Sequence, residues 1–265
     1  MTNPKGTPLW YEYLAADVDA AQAFYAGMFN WTVRDSGMSD VDYRLMAAPD
    51  GADIGGLMQH PAADQAGPAW LIYFATDDVD ADVALATELG GTVCMPAMSI
   101  EGVGRMAMLN DPQGHPFYVM KGDSEDVSTA FMESRGACVG HGVWNELTAE
   151  DQDAAMAFYQ KLLGIRHVGA MPMGELGEYK FIGQGVDMDG ESGCVAVGAS
   201  MNAFPGARRG WNVYFAVDDI DAGVERLQAG GGTIVQGPDQ IPGGDYSVVA
   251  DDPHGARFGF VGPRK

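Results

Sequence analysis

Two glutamates, Glu12 and Glu146, stand in the same local text, Trp10-Tyr11-Glu12 and Trp144-Asn145-Glu146. Side chains alternate faces along a strand, so a tryptophan and a glutamate two residues apart project from the same side. A carboxylate beside an indole is suited to act as a general base, to bind an amine or guanidine, or to ligate a metal, which makes Glu12 and Glu146 the candidate catalytic residues. The competing reading is structural, with each glutamate paired to Arg34, Arg105 or a backbone amide. Trp10, Trp70, Tyr73, Tyr118, Trp144, Trp211 and Tyr214 form an aromatic set suited to line two apolar cavities and stack on a flat ligand, with core packing as the alternative. Arg105 lies six residues before Asp111, whereas Tyr246 holds that place before Asp252, so a charge is present in one half only.

The elements that must position these residues come in repeats. Phe24-Tyr25 returns as Phe158-Tyr159 at the offset of the tryptophans, since 158 − 24 and 144 − 10 are both 134. Strand-like Leu9–Leu14 leads to a helix with Asp17 or Asp19 as cap and Ala20, Phe24 and Met28 on one face, then to strands at Thr32–Arg34, Tyr43–Ala47 and Ile54–Met58. Trp70–Phe74 opens a second unit of the same plan, with a helix from the Asp77–Asp80 cap to Leu89 and strands at Thr92–Met95, Arg105–Leu109 and Phe117–Met120. The second half repeats both units: the helix Asp153–Leu163, then Arg166–Val168, Tyr179–Ile182 and Gly193–Val197, with Glu178-Tyr179-Lys180-Phe181 echoing Asp42-Tyr43-Arg44-Leu45. Trp211, Asp218, Gly231 and Asp252 each follow their counterparts by 141 residues, so seven residues entered between Tyr159 and Trp211.

The predicted class is therefore α+β, with four βαβββ modules paired into two halves. Boundaries fall at 1–121 (modules 1–65 and 66–121), a polar linker at 122–136, and 137–265 (modules 137–207 and 208–265). With 37 acidic against 15 basic residues, a net charge of −22 disfavours nucleic acid and anionic membrane partners. Cys94, Cys138 and Cys194 are too dispersed for a disulfide framework or metal knuckle and read as small core residues. The start lacks an apolar leader and no apolar run is long enough to cross a bilayer, so the expected location is the cytoplasm. His115 and His254, beside two Asp-Pro-x-Gly turns, read as solvated; His141 is a candidate weak ligand or base, with a structural role as the alternative. No serine-hydrolase elbow, phosphate loop or Cys-x-x-Cys pair occurs.

Phe24-Tyr25, Phe158-Tyr159, Asp111-Pro112-Gln113-Gly114 and Asp252-Pro253-His254-Gly255, in this order and across the whole chain, resemble the vicinal oxygen chelate superfamily, which includes glyoxalase I, bleomycin-resistance proteins and extradiol dioxygenases. The Trp-x-Glu openings are similar to its two-domain actinobacterial branch. The resemblance implies two domains of curved mixed sheets enclosing a cavity, and one divalent ion held by His and Glu, with open positions for substrate oxygens. Matched onto this chain, the ligand positions fall on Trp10 and Trp144, near Trp70-Leu71 and Trp211-Asn212, on Tyr118 and Gly259, and among Ile54-Gly55-Gly56 and Cys194-Val195-Ala196. None is His or a carboxylate, and Asn212 alone supplies a side-chain amide oxygen.

The leading expectation is a glyoxalase- or bleomycin-resistance-like protein that binds or transforms a small, partly aromatic molecule in cavities lined by Trp and Glu, with no metal or other cofactor, as a monomer or homodimer. The alternative is a divalent-metal lyase, isomerase or dioxygenase with a relocated site using Glu12, Glu146 or His141. A protein-interaction module would instead expose its tryptophans.

Overall fold

The computed structural model describes residues 3–61, 67–133, 138–184 and 195–265. Module 1 contains β1 (Pro8–Ala15), α1 (Val18–Phe29), β2 (Thr32–Asp35), β3 (Tyr43–Ala47) and β4 (Asp53–Gln59). In module 2, β5 (Ala69–Ala75) and α2 (Val79–Glu88) precede β6 (Thr92–Ile100), β7 (Gly104–Asn110) and β8 (Pro116–Gly122). Module 3 follows with β9 (Gly142–Ala149), α3 (Gln152–Leu163), β10 (Arg166–Pro172), β11 (Glu178–Gln184) and β12 (Val195–Asn202). Module 4 closes the chain with β13 (Gly210–Ala216), α4 (Ile220–Ala229), β14 (Thr233–Gln240), β15 (Tyr246–Asp251) and β16 (Arg257–Gly262). All four helices start at an aspartate whose carboxylate accepts a backbone N–H of the first turn: Asp17, Asp78, Asp151 and Asp219. Each such cap contributes about 1 kcal/mol to helix stability.

The strands form two curved, eight-stranded mixed sheets with orders β2-β3-β4-β1-β5-β8-β7-β6 and β10-β11-β12-β9-β13-β16-β15-β14. This is the α+β arrangement of four βαβββ modules predicted from the repeat. The expected strand at Gly193–Val197 is described from Val195 onward; Cys194, Ala137 and part of the expected linker lie outside the described residues. No described helix is long and apolar enough to cross a membrane.

Register corrects one alignment. Glu12 pairs with Gly56 and Glu146 with Ala199, so the counterpart of Ile54-Gly55-Gly56 is Val197-Gly198-Ala199, not Cys194-Val195-Ala196. The offset is 136 at the β3 and β11 tyrosines (179 − 43), 143 here (199 − 56) and 141 by β13, so residues were both added and removed in module 3.

By packing, the chain divides into two compact units: Met1–Leu9 with Ile72–Ser128 and Trp144–Trp211, and Trp10–Leu71 with Thr129–Val143 and Asn212–Lys265. The first joins module 2 to module 3 through contacts between α2 and α3; the second joins module 1 to module 4 through α1 and α4.

Each unit is centred on one buried aspartate. In the second, Trp70 Nε1 donates to Tyr25 Oη at 2.9 Å, and Tyr25 Oη donates to Asp252 Oδ2 at 2.9 Å, as does the Tyr13 hydroxyl. The backbone N–H groups of His254 and Ala256 donate to Asp252 Oδ1. In the first, Trp211 Nε1 donates to Tyr159 Oη at 3.0 Å and Tyr159 Oη to Asp111 Oδ2 at 3.1 Å. Here His115 Nδ1 supplies the second contact to Oδ2 at 2.9 Å, while the N–H groups of Gln113 and His115 reach Oδ1. Burial, reinforced by neighbouring Tyr13 and Asp252 for Tyr25 and by Asp111 for Tyr159, raises both phenol pKa values, so these hydroxyls remain protonated donors. His115 is thus a buried partner of Asp111, not a solvated turn residue.

The two aspartates solve one requirement differently. Leu147 occupies the place of Tyr13 (147 − 134), and Ala256 the place of His115 (256 − 141). A buried carboxylate must have its lone pairs filled, and the missing tyrosine in one unit coincides with the added histidine.

Around Asp252, Tyr13, Tyr25, Phe29, Trp31, Trp70, Phe215 and Phe258 pack in edge-on, tilted and stacked pairs, with Trp70 and Phe215 centroids 5.0 Å apart. Cys138 is buried, as expected, but Cys94 is exposed on β6 rather than in the core.

Module 3 also replaces apolar packing beneath its helix with polar groups. His167 Nε2 lies 2.8 Å from Ser200 Oγ, and Gln152 Nε2 donates to the same oxygen at 3.1 Å. By register, the module 1 counterparts are Val33, Leu57 and Val18.

Two predictions follow from these contacts. Removing the second Asp111 donor with His115→Ala should cost about 1–3 kcal/mol in urea denaturation. Adding Leu147→Tyr, which copies the Tyr13 arrangement, should make the double variant more stable than the two single losses sum to. Burial, and then Lys180, pulls His167 below its ordinary value of 6.5. The unfolded chain therefore takes up a proton first as pH falls, and this contribution to stability, complete above 6.5, declines on acidification toward the folded pKa. The corresponding slope of unfolding free energy just below pH 6.5 should flatten in His167→Val.

Candidate functional site

Alternation along the first strand of each module sorts the predicted site residues. On β1, Tyr11 and Tyr13 face the helices and are buried in the core, so Trp10 and Glu12 share the opposite face. On β13, Trp211, Val213 and Phe215 face the core, and Asn212 and Tyr214 the other side. Trp70 and Trp211 therefore belong to the core, where their indoles bond Tyr25 and Tyr159, and not to a cavity wall.

On the face away from the helices, Trp10 Nε1 donates to Tyr43 Oη at 2.9 Å. The Tyr43 hydroxyl lies over Gly56, where a Cβ would meet that oxygen at 1.9 Å, so glycine is required there for close approach. Gly56 is the register partner of Glu12, which is 2% exposed. Module 3 repeats the arrangement: Trp144 Nε1 donates to Tyr179 Oη at 2.8 Å, and Tyr179 Oη donates to Glu146 Oε2 at 2.8 Å. Glu146 is half-buried, and Phe181 packs edge-on to both Trp144 and Tyr179.

Tyr43 and Tyr179 join these clusters although the Trp-x-Glu motif does not point to them. The echo of Asp42-Tyr43-Arg44-Leu45 in Glu178-Tyr179-Lys180-Phe181 held the signal, because the repeated aromatic falls on the same sheet face as the Trp-x-Glu pair. The predicted arginine partners are engaged elsewhere. Arg34 donates to both oxygens of Asp53 at 2.6 Å, and Arg105 to both oxygens of Asp80 at 2.8 and 2.6 Å. Met108, opposite Tyr118 in the ladder, shares that tyrosine's face, so Arg105, at odd spacing from it, turns toward α2 and not toward the ligand face.

Tyr73 and Tyr118 are ladder partners and stack at 4.0 Å with an interplanar angle of 5°. In module 4 the partner of Tyr214 is Gly259, and a Cβ there would lie 2.1 Å from the Tyr214 ring. Tyr214 thus covers the place where module 2 keeps a second aromatic. The Asn212 Oδ1 is buried, and no described residue donates to it.

These groups do not fit a divalent ion at the positions the resemblance implied. Trp10 and Trp144 use their only polar group as a donor, Tyr118 is stacked, and Gly55, Gly56, Gly259 and Ala199 have no donor atom. Cys194 lies outside the described residues, among which no three His, Cys, Asp or Glu side chains converge. His141 is wholly buried, with Nδ1 2.5 Å from Thr129 O and Nε2 3.0 Å from Asp50 Oδ2. Both ring nitrogens are engaged, giving it a structural role. The Ala52 N–H, and then His141, hold the Asp50 carboxyl below the usual range.

The chain's relatives carry the same whole-chain organisation. The glyoxalase/bleomycin resistance protein/dioxygenase superfamily model matches residues 140–260, and a glyoxalase-like domain model matches residues 12–120. The chain is 33% identical to a putative glyoxylase, CFP32, of Mycobacterium tuberculosis over 263 residues, covering 98% of this chain and 95% of that protein. It is also 33% identical to the anthracycline biosynthesis protein DnrV of Streptomyces peucetius over 277 residues, covering 97% and 93%. Among solved structures, the Mn(II)-bound glyoxalase of Novosphingobium aromaticivorans superposes with a TM-score of 0.61 at 19% identity, covering 100% of this chain and 83% of that one. Homoprotocatechuate 2,3-dioxygenase of Arthrobacter globiformis does so at 0.67 and 18% identity, covering 98% and 80%. The structural likenesses show the fold; the duplicated modules, the family matches and the near-full-length relatives together establish that this chain belongs to the glyoxalase/bleomycin resistance protein/dioxygenase superfamily.

Proposed function

We propose that this chain binds a small, flat, partly aromatic molecule bearing polar groups, using its Trp–Tyr–Glu clusters and no divalent ion at the family's usual positions. The observation that carries this reading is the repeated pairing of Trp10 with Tyr43 and of Trp144 with Tyr179, each on the sheet face that also carries Glu12 or Glu146. An indole fixed by its own N–H bond presents a rigid ring at little further entropic cost, and the adjacent carboxylate selects ligands that donate hydrogen bonds or carry positive charge.

The five tryptophans are buried or half-buried, which favours an enclosed small-molecule ligand over a protein-docking surface. DnrV, named for anthracycline biosynthesis, points in the same direction, since anthracyclines are fused, planar and hydroxylated. Glu146, which accepts from Tyr179 and retains solvent access, is the carboxylate suited to take a proton from a bound molecule. Sequestration needs only the binding step, whereas catalysis of the lyase or isomerase kind would use this base.

A thermal-shift panel of hydroxylated and amino-substituted polycyclic aromatics should raise the melting temperature, and intrinsic tryptophan fluorescence should be quenched on binding. Trp144→Ala should weaken binding roughly five- to tenfold. Glu146→Gln should retain ring binding but lose any conversion detected by mass spectrometry. No thermal shift with any member of the panel, together with stoichiometric metal in protein purified without chelator, would sink the reading.

A further inference from the structure

The two halves carry the same plan on their ligand-facing surfaces, but equivalent positions differ in occupancy. In module 2, Leu71 is 3% exposed and Tyr73 and Tyr118 stack against each other, leaving a closed apolar surface. Module 4 replaces Leu71 with half-buried Asn212 and Tyr118 with Gly259. In the first strands, Glu12 is buried whereas its counterpart Glu146 is half-buried. The exchanges at Asn212 and Glu146 open the C-terminal half relative to the N-terminal one, while at Gly259 the Tyr214 ring takes the space of the second aromatic.

Asn212 gives this asymmetry a chemical direction. A buried amide oxygen without a donor is destabilising, and such a group in a folded protein needs an explanation. Asn212 shares its face with Tyr214, whose ring lies over Gly259. Arg257, two residues before Gly259 on the neighbouring strand, donates to both oxygens of Asp251 at 2.7 and 3.1 Å, which directs its guanidinium to that carboxylate.

We infer that module 4 contains an acceptor subsite in which Asn212 Oδ1 receives a phenolic O–H or amine N–H of a planar ligand lying against Tyr214, and that the chain takes one such ligand, in its C-terminal half. This inference rests on the aromatic-ligand reading above and adds the ligand's donor group and the stoichiometry. The N-terminal half then serves as a packed structural copy.

The test uses the full chain and two probes of matched size, 2,6-dihydroxynaphthalene and 2,6-dimethoxynaphthalene, titrated by calorimetry. The dihydroxy probe should bind the wild type at one equivalent per chain. Asn212→Leu, which copies module 2, should weaken the dihydroxy probe about tenfold and leave the dimethoxy probe unchanged. The free Asn212→Leu protein should melt at or above the wild-type temperature, because an unfilled acceptor has been replaced by an apolar group. If this variant does not fold, Asn212→Ala provides the same comparison.

Binding at two equivalents per chain, equal losses for both probes, or a lowered melting temperature for free Asn212→Leu would overturn the inference while leaving the aromatic-ligand reading in place. Failure of both probes to bind the wild type would overturn both.

Discussion

The structure depends on two buried carboxylates, each of which a tyrosine must reach from outside its own turn. Asp252 and Asp111 each end a strand and use one oxygen to hold the turn that follows. The other oxygen receives a tyrosine from the helix of a module in the opposite half, and a tryptophan donates in turn to that tyrosine. A carboxyl group buried in an aromatic interior is tolerated only when its polar atoms are hydrogen-bonded, so the chain must bring the modules of each unit together. The Phe-Tyr and Asp-Pro-x-Gly motifs are therefore two sides of one contact.

This arrangement frees the opposite sheet face. Because Tyr11, Tyr13, Trp70 and Trp211 are committed to the core, the residues alternating with them can be polar or half-exposed without loss of packing. Trp10, Glu12, Trp144, Glu146, Asn212 and Tyr214 all occupy such positions. The halves diverge there at Leu71 against Asn212 and Tyr118 against Gly259. The helix-facing side diverges too, at Tyr13 against Leu147, His115 against Ala256 and the His167–Ser200–Gln152 group of module 3.

Much of the fold was legible in the sequence because it is written four times. Strand starts, aspartate caps and the Asp-Pro-x-Gly turns recur at fixed offsets, and each is set by local chemistry. The register of β12 was not legible, since it depends on compensating insertions and deletions in module 3, which spacing alone merges into a net seven residues. His115 was misread because a histidine beside a tight turn is usually wet; its burial follows from Leu147, 32 positions later (147 − 115), lacking a hydroxyl. The site was partly legible. Trp-x-Glu put the indole and the carboxylate on one sheet face, but Tyr43 and Tyr179 come from another strand, and the faces of Trp70, Trp211 and Arg105 required the parity of each strand relative to the helices.

The pairing of module 1 with module 4 also constrains how the chain can fold during synthesis. Tyr25 emerges early, whereas its acceptor Asp252 lies 227 residues further on. Until that last turn is made, α1 has neither its carboxylate partner nor the aromatic surface of Phe215 and Phe258 against which Phe29 packs. Modules 2 and 3 lie closer in the chain and can close their unit first, with Asp111 and Tyr159 only 48 residues apart. Loop closure is slower for distant contacts, so the order of assembly runs from the middle of the chain outward, and the first module made is among the last to be secured.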